Sequence, residues 1–327
     1  MLVCISANPA IDRRLRIDSI GVGEVNRASS AQPFPGGKAA HVAMVAKSLG
    51  LEVMWVGFLG GANGEQCESG LLSLRVPMTV IRTESETRAN LEIISADGKV
   101  TEILEPGGAV TDDEVERLLA TCRDLFAESH RGTQVALSGS LPPGAPADLY
   151  AQITRLAHLY NFRVLLDSSG EPLREALAAA PELVKPNRDE AAHFAGSSLA
   201  DETATAQVAQ AFFDSGAKSV AISLGAEGIF WQPTALGDCL LSKAPTIDAC
   251  SSVGCGDAVL AGFAVAHERG LGEEETVRFA TACGSANCFA NAPGRVKGRD
   301  VWQLLENITV RRVARCESSR SLMVDAQ

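Results

Sequence analysis

The chain has 327 residues, enough for one large α/β domain or two ordinary ones, and its composition, 46% hydrophobic and 21% charged, is that of a soluble globular protein. A formal charge of −11 excludes a general nucleic-acid or anionic-membrane binder, because such partners need a basic face. Any anionic substrate has to be held by a few local cations. Nine cysteines, at positions 4, 67, 122, 239, 250, 255, 283, 288 and 316, form no Cys-x-x-Cys pair. They read as small buried side chains in a reducing cytosol rather than as a disulfide or zinc framework. With no basic-then-apolar leader after Met1 and no apolar run long enough to span a bilayer, a cytoplasmic protein without a membrane partner is expected.

The run Leu2 to Ser6 predicts a buried strand, and Asn8-Pro9-Ala10-Ile11-Asp12 sets Asp12 just past its carboxyl end, the edge where ligands collect in open α/β sheets. Residues 13–34 are polar, alternate weakly at Leu15, Ile17 and Ile20, and contain Gly21, Gly23 and Pro33, which suggests a small exposed hairpin. Pro35-Gly36-Gly37-Lys38-Ala39-Ala40-His41 opens a helix that runs to about Leu49 and stops at Gly50. The Gly-Gly turn permits close approach of a ligand and Lys38 adds positive charge, although the spaced first glycine and the hydroxyl of a Walker-type loop are absent. His41, in the first turn, serves either to bind a ligand or to face the neighbouring loop.

Val53 to Leu59 predicts the next strand, 60–64 a loop and Glu65 to Leu74 a helix. From Thr79 to Val100 the alternation of Val80 and Ile81, then Leu91 and Ile93, around Asp97-Gly98 is that of an antiparallel hairpin. Together with 13–34 it predicts a small β-sheet lid, from segments of about 13–34 and 79–105, able to close over a site. Thr111-Asp112-Asp113-Glu114 is a capping box ahead of an amphipathic helix. Strands at 134–137, 163–166, 183–184 and 219–223 then alternate with helices, which implies a mostly parallel sheet covered on both faces. No repeat or linker splits the chain, so 1–310 is expected to be one domain and 311–327 a polar tail.

The richest stretch is Ser251-Ser252-Val253-Gly254-Cys255-Gly256-Asp257, followed by a helix through His267. Free backbone N–H groups and the positive end of a helix dipole suit an anion there, and glycines let the backbone approach it. An acid beside a phosphate cradle makes sense as the base that deprotonates an attacking hydroxyl. Taken alone, Gly254-Cys255-Gly256-Asp257 reads more readily as a tight turn with a carboxylate favoured in a first helical turn.

Four stretches together resemble the phosphofructokinase-B family of carbohydrate kinases in the ribokinase superfamily: 8–12, 35–38, Val184-Lys185-Pro186-Asn187-Arg188-Asp189-Glu190, and 253–257. Gly23-Glu24-Val25-Asn26-Arg27, Thr87-Arg88-Ala89-Asn90, Ser138-Gly139-Ser140-Leu141-Pro142 and Asp167-Ser168-Ser169-Gly170 resemble the branch with 1-phosphofructokinase and tagatose-6-phosphate kinase. The resemblance covers about residues 1–308 and implies a ribokinase-like three-layer α/β/α fold with a β lid. It implies ATP-dependent phosphorylation of a hexose phosphate such as fructose 1-phosphate, fructose 6-phosphate or tagatose 6-phosphate. By position, Asp257 would be the general base and the N–H groups of Gly254, Cys255 and Gly256 the anion hole.

Asp12, Gly36, Gly37, Lys38, His41 and Ser138 would surround the sugar, with Arg27 and Arg88 for a phosphate already on it, unless they are solvated hairpin charges. Lys185, Asn187, Ser223, Gly225, Gly228 and Asn287 would serve ATP, and Asn187 with Glu190 its Mg2+, often through water. Ser223 and Asn287 could equally be ordinary element-end residues. Departures from the branch are His41 for an asparagine expected to contact the sugar, Cys255 for alanine and Ser252 for threonine. Alternatives are a kinase of an unphosphorylated sugar or nucleoside, for which Arg27 and Arg88 are unnecessary, and a sugar sensor without catalysis. An exposed lid edge also leads to the expectation of a homodimer.

Overall fold

The computed structural model describes residues 1–247 and 249–313, so residues 314–327 of the expected polar tail, Cys316 among them, lie outside the described residues. The first third of the chain forms β1 (Leu2–Ser6), β2 (Ala10–Ile17), β3 (Ser30–Gly36), α1 (Lys38–Ser48), β4 (Val53–Leu59), α2 (Gly61–Ser73), β5 (Met78–Arg82), β6 (Arg88–Ser95) and β7 (Val100–Leu104). The middle third forms α3 (Asp112–Glu128), β8 (Gln134–Ser138), α4 (Leu149–Leu159), β9 (Arg163–Asp167), α5 (Gly170–Leu177), β10 (Leu183–Val184), α6 (Arg188–Ala195) and α7 (Glu202–Asp214). The last third forms β11 (Val220–Ser223), β12 (Ile229–Gln232), β13 (Cys239–Lys243), α8 (Cys255–Glu268), α9 (Glu273–Asn287), α10 (Gly298–Leu305) and β14 (Thr309–Val313).

Ten strands make one sheet in the order β14-β13-β12-β11-β10-β9-β8-β1-β4-β5. The seven from β11 to β5 are parallel, and β12, β13 and β14 extend the sheet antiparallel. Strand residues alternate between two cores, as the two-residue period of a strand requires. Leu2 and Cys4 join α1, α8 and α9 on one face, while Val3 and Ile5 join α3, α4 and α7 on the other. This three-layer arrangement is the expected architecture.

The lid is a separate four-stranded sheet in the order β3-β2-β6-β7. Within it β2–β3 and β6–β7 are antiparallel pairs, and the two meet through the parallel register of β2 with β6. The boundary expected at residue 79 moves. Residues 78–82 belong to the main sheet, parallel to β4, because α2 forms a crossover that returns the chain to the same sheet and buries Ile81. Helix α2 starts at Gly61 rather than Glu65. Residues 311–313, expected in the polar tail, pair with Cys239–Leu241 as part of edge strand β14, so order extends at least to residue 313. Polar residues suit such a strand, since one face of an edge is open to water.

Candidate active site

Strand order reverses at β1, which has β4 on one side and β8 on the other. The crevice beyond the carboxyl ends of β1 and β8 is where an open α/β sheet binds ligands. Lys38 at the start of α1, Ser138 and Asp167 at the ends of β8 and β9, and Lys185 just after β10 all converge there. Asp12 lies within lid strand β2 rather than simply past β1, and the lid thereby contributes a carboxylate to the crevice. Gly36 makes room for it, since a Cβ at that position would overlap the Asp12 carboxylate. Asn90, opposite Asp12 in the β2–β6 register, donates to its Oδ1 at 2.9 Å.

Two charge clusters fill the floor of the crevice. In one, the buried Asp167 carboxylate receives Lys38 Nζ at 2.9 Å and Lys185 Nζ at 3.0 Å. Burial alone would raise the Asp167 carboxyl, but Lys185 and Lys38 outweigh it and hold it below the ordinary carboxylate range. Burial likewise opposes the charge of Lys38, yet Asp167, Glu190 and Asp257 hold its ammonium above the ordinary value. In the second cluster the His41 ring lies between two carboxylates, Nδ1 2.8 Å from Asp257 Oδ2 and Nε2 3.0 Å from Asp12 Oδ2. Burial works against the imidazolium, but both carboxylates favour it and push its pKa up to about 10.

Asp257 sits in the first turn of α8, buried. The helix begins at Gly254, whose φ of 78° is the left-handed conformation a side chain resists, and a Cβ there would press on Pro293. A Cβ on Gly256 would lie 3.1 Å from Lys185 Nζ. The Cys255 N–H, expected in the anion hole, donates instead to the Ser252 carbonyl at 3.2 Å, so the turn presents the N–H groups of Gly254 and Gly256 and a buried ammonium to the same small volume, an arrangement that can neutralise a transferring anionic group. The Cys255 side chain turns away from it to the Cys288 sulfur, 3.1 Å away. All eight described cysteines are reduced; Cys250 is exposed, and Cys255 and Cys288 are half-buried, which departs from the uniformly buried set expected.

Asn187 and Glu190 form a capping box on α6, with Asn187 Oδ1 accepting from the Glu190 N–H at 2.8 Å and Glu190 Oε2 accepting from the Asn187 N–H at 2.9 Å. Glu190 Oε1 remains, 3.5 Å from Lys38 Nζ. Among the described residues no group of three or more His, Cys, Asp or Glu could hold a metal ion. One carboxylate oxygen, shared with Lys38, fits a magnesium held mainly by phosphate and water. Ser223 lies at the end of β11, its hydroxyl 3.5 Å from the Pro186 carbonyl, and bridges to Asn187. Gly225 and Gly228 shape the turn after β11, where a Cβ on Gly228 would overlap the Ser242 backbone. Asn287 uses its amide on backbone: Nδ2 donates to the Val253 carbonyl at 2.7 Å and Oδ1 accepts from the Gly294 N–H at 2.9 Å. It braces the 253–256 turn.

Arg88 donates to the carbonyls of Glu105 and Asn8, and its buried Nε has no partner among the described residues. Arg27 is not brought to this cluster. It is exposed on the loop between β2 and β3 and makes no hydrogen bond or ion pair among the described residues. Among the described residues the Ser138 hydroxyl is buried without a hydrogen-bond partner, as is the phenol of Tyr150 from α4, which acts electrostatically with Lys38, Asp167 and Arg88.

Asp167, Asn90 and Tyr150 were not singled out as site residues by the sequence, although Asn90 and Asp167 lie in two of the stretches that carry the resemblance and Asp167 ends a strand. A further network also escaped sequence reasoning. Arg14 of β2 and Glu92 of β6 pair at 2.7 Å, Ser251 donates to Glu92 at 2.6 Å, and Arg14 donates to the Asn291 carbonyl. This buried group ties the lid to the loop that leads to Asp257.

The pattern described as pfkB family carbohydrate kinase matches residues 1–294. The chain is 34% identical over 282 residues to 1-phosphofructokinase of Vibrio cholerae serotype O1, covering 86% of this chain and 87% of that protein. It is 31% identical to tagatose-6-phosphate kinase of Staphylococcus epidermidis over 315 residues, 95% of this chain and 99% of that protein. Among solved structures, phosphofructokinase-2 from Escherichia coli in complex with potassium superposes with a TM-score of 0.85 at 29% identity, covering 94% of this chain and 98% of that one. No helix among the described residues is long and apolar enough to cross a membrane.

Proposed function

The chain belongs to the pfkB family of carbohydrate kinases, and on that premise we propose that it transfers the γ-phosphoryl group of ATP to a hydroxyl of a hexose phosphate. The observation that carries this reading is the pairing of a buried carboxylate, Asp257, with the Gly254–Gly256 turn and the Lys185 ammonium at one helix start. The relatives named for fructose- and tagatose-phosphate chemistry support a phosphorylated acceptor. The unpartnered Nε of Arg88 supports it too, since a guanidinium matches phosphate oxygens.

In this mechanism Asp12 and Asn90 hold sugar hydroxyls, and Asp257 takes the proton of the hydroxyl that attacks phosphorus. The new O–P bond forms as the bond to the ADP oxygen breaks, in line. Lys185 and the N–H groups of Gly254 and Gly256 meet the charge spread over the transferring oxygens. Lys38, expected beside the sugar, stands on Asp167 and Glu190 and so joins Asn187, Ser223, Gly225 and Gly228 along the approach of the nucleotide phosphates. A magnesium ion bound with ATP would be held through Glu190 and water, and would supply neutralisation of phosphate charge. The lid excludes water, and Arg27 reaches the sugar phosphate only if the lid loop folds inward.

We place the assembly as a homodimer formed through the lid, whose exposed Val22, Val25, Ile103 and Leu104 are otherwise bare to water. Light scattering at several concentrations tests it, and a monomer throughout discards it. The activity test is ADP release from ATP and magnesium against fructose 1-phosphate, fructose 6-phosphate, tagatose 6-phosphate, free hexoses, ribose and nucleosides. Turnover confined to phosphorylated sugars is expected. Turnover with uncharged acceptors alone would remove the phosphate role of Arg88 and Arg27, and none at all would overturn the function.

A further inference from the structure

We propose that His41 is a positioning residue which, as an imidazolium, ties the base Asp257 to the sugar-holding Asp12 and so fixes the spacing between the hydroxyl to be phosphorylated and the one that anchors the sugar. The proposal rests on the function above for the roles of the two carboxylates. The clamp itself stands on geometry.

Three separate elements meet at the ring: α1 carries His41, β2 carries Asp12 and α8 carries Asp257. Each ring nitrogen lies within 3.0 Å of a carboxylate oxygen, and all three side chains are buried. A neutral imidazole has one N–H and one lone pair, so in this position its lone pair would face a carboxylate. Only the imidazolium satisfies both neighbours, and the upward push on its pKa agrees. The other charged groups facing the cluster are Lys38 from α1, acting on Asp257, Arg88 from β6, acting on Asp12, and Glu102 from β7, acting on all three. Two cations against one further carboxylate leave the imidazolium as the link between Asp12 and Asp257.

This changes what the departure at position 41 means. An asparagine there would offer an amide to the sugar, whereas His41 Nδ1 is hydrogen-bonded to Asp257 and Nε2 lies 3.0 Å from Asp12 Oδ2 as an ion pair without hydrogen-bond alignment. The ring thus spends its charge on the two carboxylates. Asp257 is held by Oδ2, and its Oδ1, which makes no hydrogen bond among the described residues, is left for the acceptor hydroxyl. Removing the positive charge would leave Asp12 and Asp257 as neighbouring like charges, a condition under which one carboxylate tends to take up a proton. A protonated base cannot accept the hydroxyl proton.

His41→Asn and His41→Ala test the clamp through the pH dependence of kcat/KM, with thermal melting to confirm folding. The wild type should keep its rate up to an alkaline limb near about pH 10, where the imidazolium loses its proton. In both variants that limb should vanish, the acid limb should move to higher pH, and kcat should fall about 10²-fold, the order expected when a reacting group is displaced, with the KM for ATP unchanged. Wild-type kcat and an unaltered profile in His41→Asn overturn the proposal.

A second measurement needs no turnover. In 15N spectra of the intact protein, the His41 ring should remain an imidazolium at pH values well above the ordinary histidine pKa of about 6.5, and should titrate lower in Asp257→Asn. A neutral ring there overturns the clamp even if the enzyme is a kinase. Absent ADP release with a persistent imidazolium would overturn the function and leave the clamp standing.

Discussion

Two charge triads of opposite sign lie on either side of the first turn of α1, buried except for the half-exposed Lys38. Around Asp167 one carboxylate lies between the ammoniums of Lys38 and Lys185, and around His41 one imidazolium lies between the carboxylates of Asp12 and Asp257. Lys38 and His41, three residues apart on one helix face, each supply a cation to one of them. The first triad has a surplus positive charge and suits phosphate oxygens; the second has a surplus negative charge and suits hydroxyls that donate hydrogen bonds or a proton. A chain with a net charge of −11 can therefore serve an anionic substrate, because the sign that matters is set over a few ångströms in a poorly screened interior.

The comparison is broken most severely by removing the one group that reacts. Asp257→Asn keeps the shape of the negative triad and removes its proton acceptor, so kcat should fall about 10²–10⁴-fold with ATP binding retained. ADP release within tenfold of wild type would mean that the negative triad only binds. Next in size is Asp167→Asn, which leaves Lys38 and Lys185 facing each other without a counter-ion. The buried Lys185 ammonium makes this costly, about 3 kcal/mol of stability by urea unfolding.

The two triads also predict opposite pH windows. The Asp167 carboxyl is held low, so its stabilisation is present above the ordinary carboxylate pKa of about 3.9 and is lost as the pH falls through its lowered value. The His41 pKa is raised, so its stabilisation is complete below about 6.5 and is lost as the pH rises through about 10. Asp167→Asn should flatten the acid side of the stability curve and His41→Asn the alkaline side. If both variants alter the same side, the assignment of opposite signs fails.

The legible parts of the site were those whose chemistry lies in consecutive residues. Gly254 to Asp257 spells out a turn, an anion-binding helix start and an acid, and Gly36-Gly37-Lys38 spells out a close approach with a cation. Strand alternation gave the parallel sheet for the same reason, since it is a local periodicity. What was hidden depends on contacts across the fold. Asp167 meets Lys38 from 129 residues away and Arg14 meets Glu92 from 78, and neither carboxylate has any local mark of its partner.

The strand at 78–82 looked like lid because alternation says which face is buried but not which sheet is joined; the α2 crossover decides that. The parallel register of β2 with β6, which sets Asn90 against Asp12, is equally non-local. His41 was visible as a departure, but its two carboxylate partners come from β2 and α8 and only the assembled fold brings them together.

Smaller changes sharpen the comparison by separating backbone from side chain. Gly36→Ala places a methyl group against the Asp12 carboxylate and should displace it, raising the KM for the sugar about tenfold while the KM for ATP holds. That split between substrates would assign Asp12 to the hydroxyl side alone. Equal changes in both KM values would show instead that the two triads move together.

Cys255→Ala should have the least effect. Residue 255 serves the turn through its backbone, whose N–H donates to the Ser252 carbonyl at 3.2 Å, and alanine keeps that bond. Its thiol points to Cys288 and accepts weakly from Asn287 Nδ2 at 3.5 Å, while the stronger Asn287 bond that braces the turn, at 2.7 Å, goes to the Val253 carbonyl and survives the change. The loss is thus one weak sulfur contact at a half-buried position, and kcat should change by less than about 1 kcal/mol in barrier, under a factor of ten. A larger drop in kcat with unchanged melting would mean that the sulfur contact sets the direction of the turn's N–H groups, and the anion hole would then depend on α9 as much as on the start of α8.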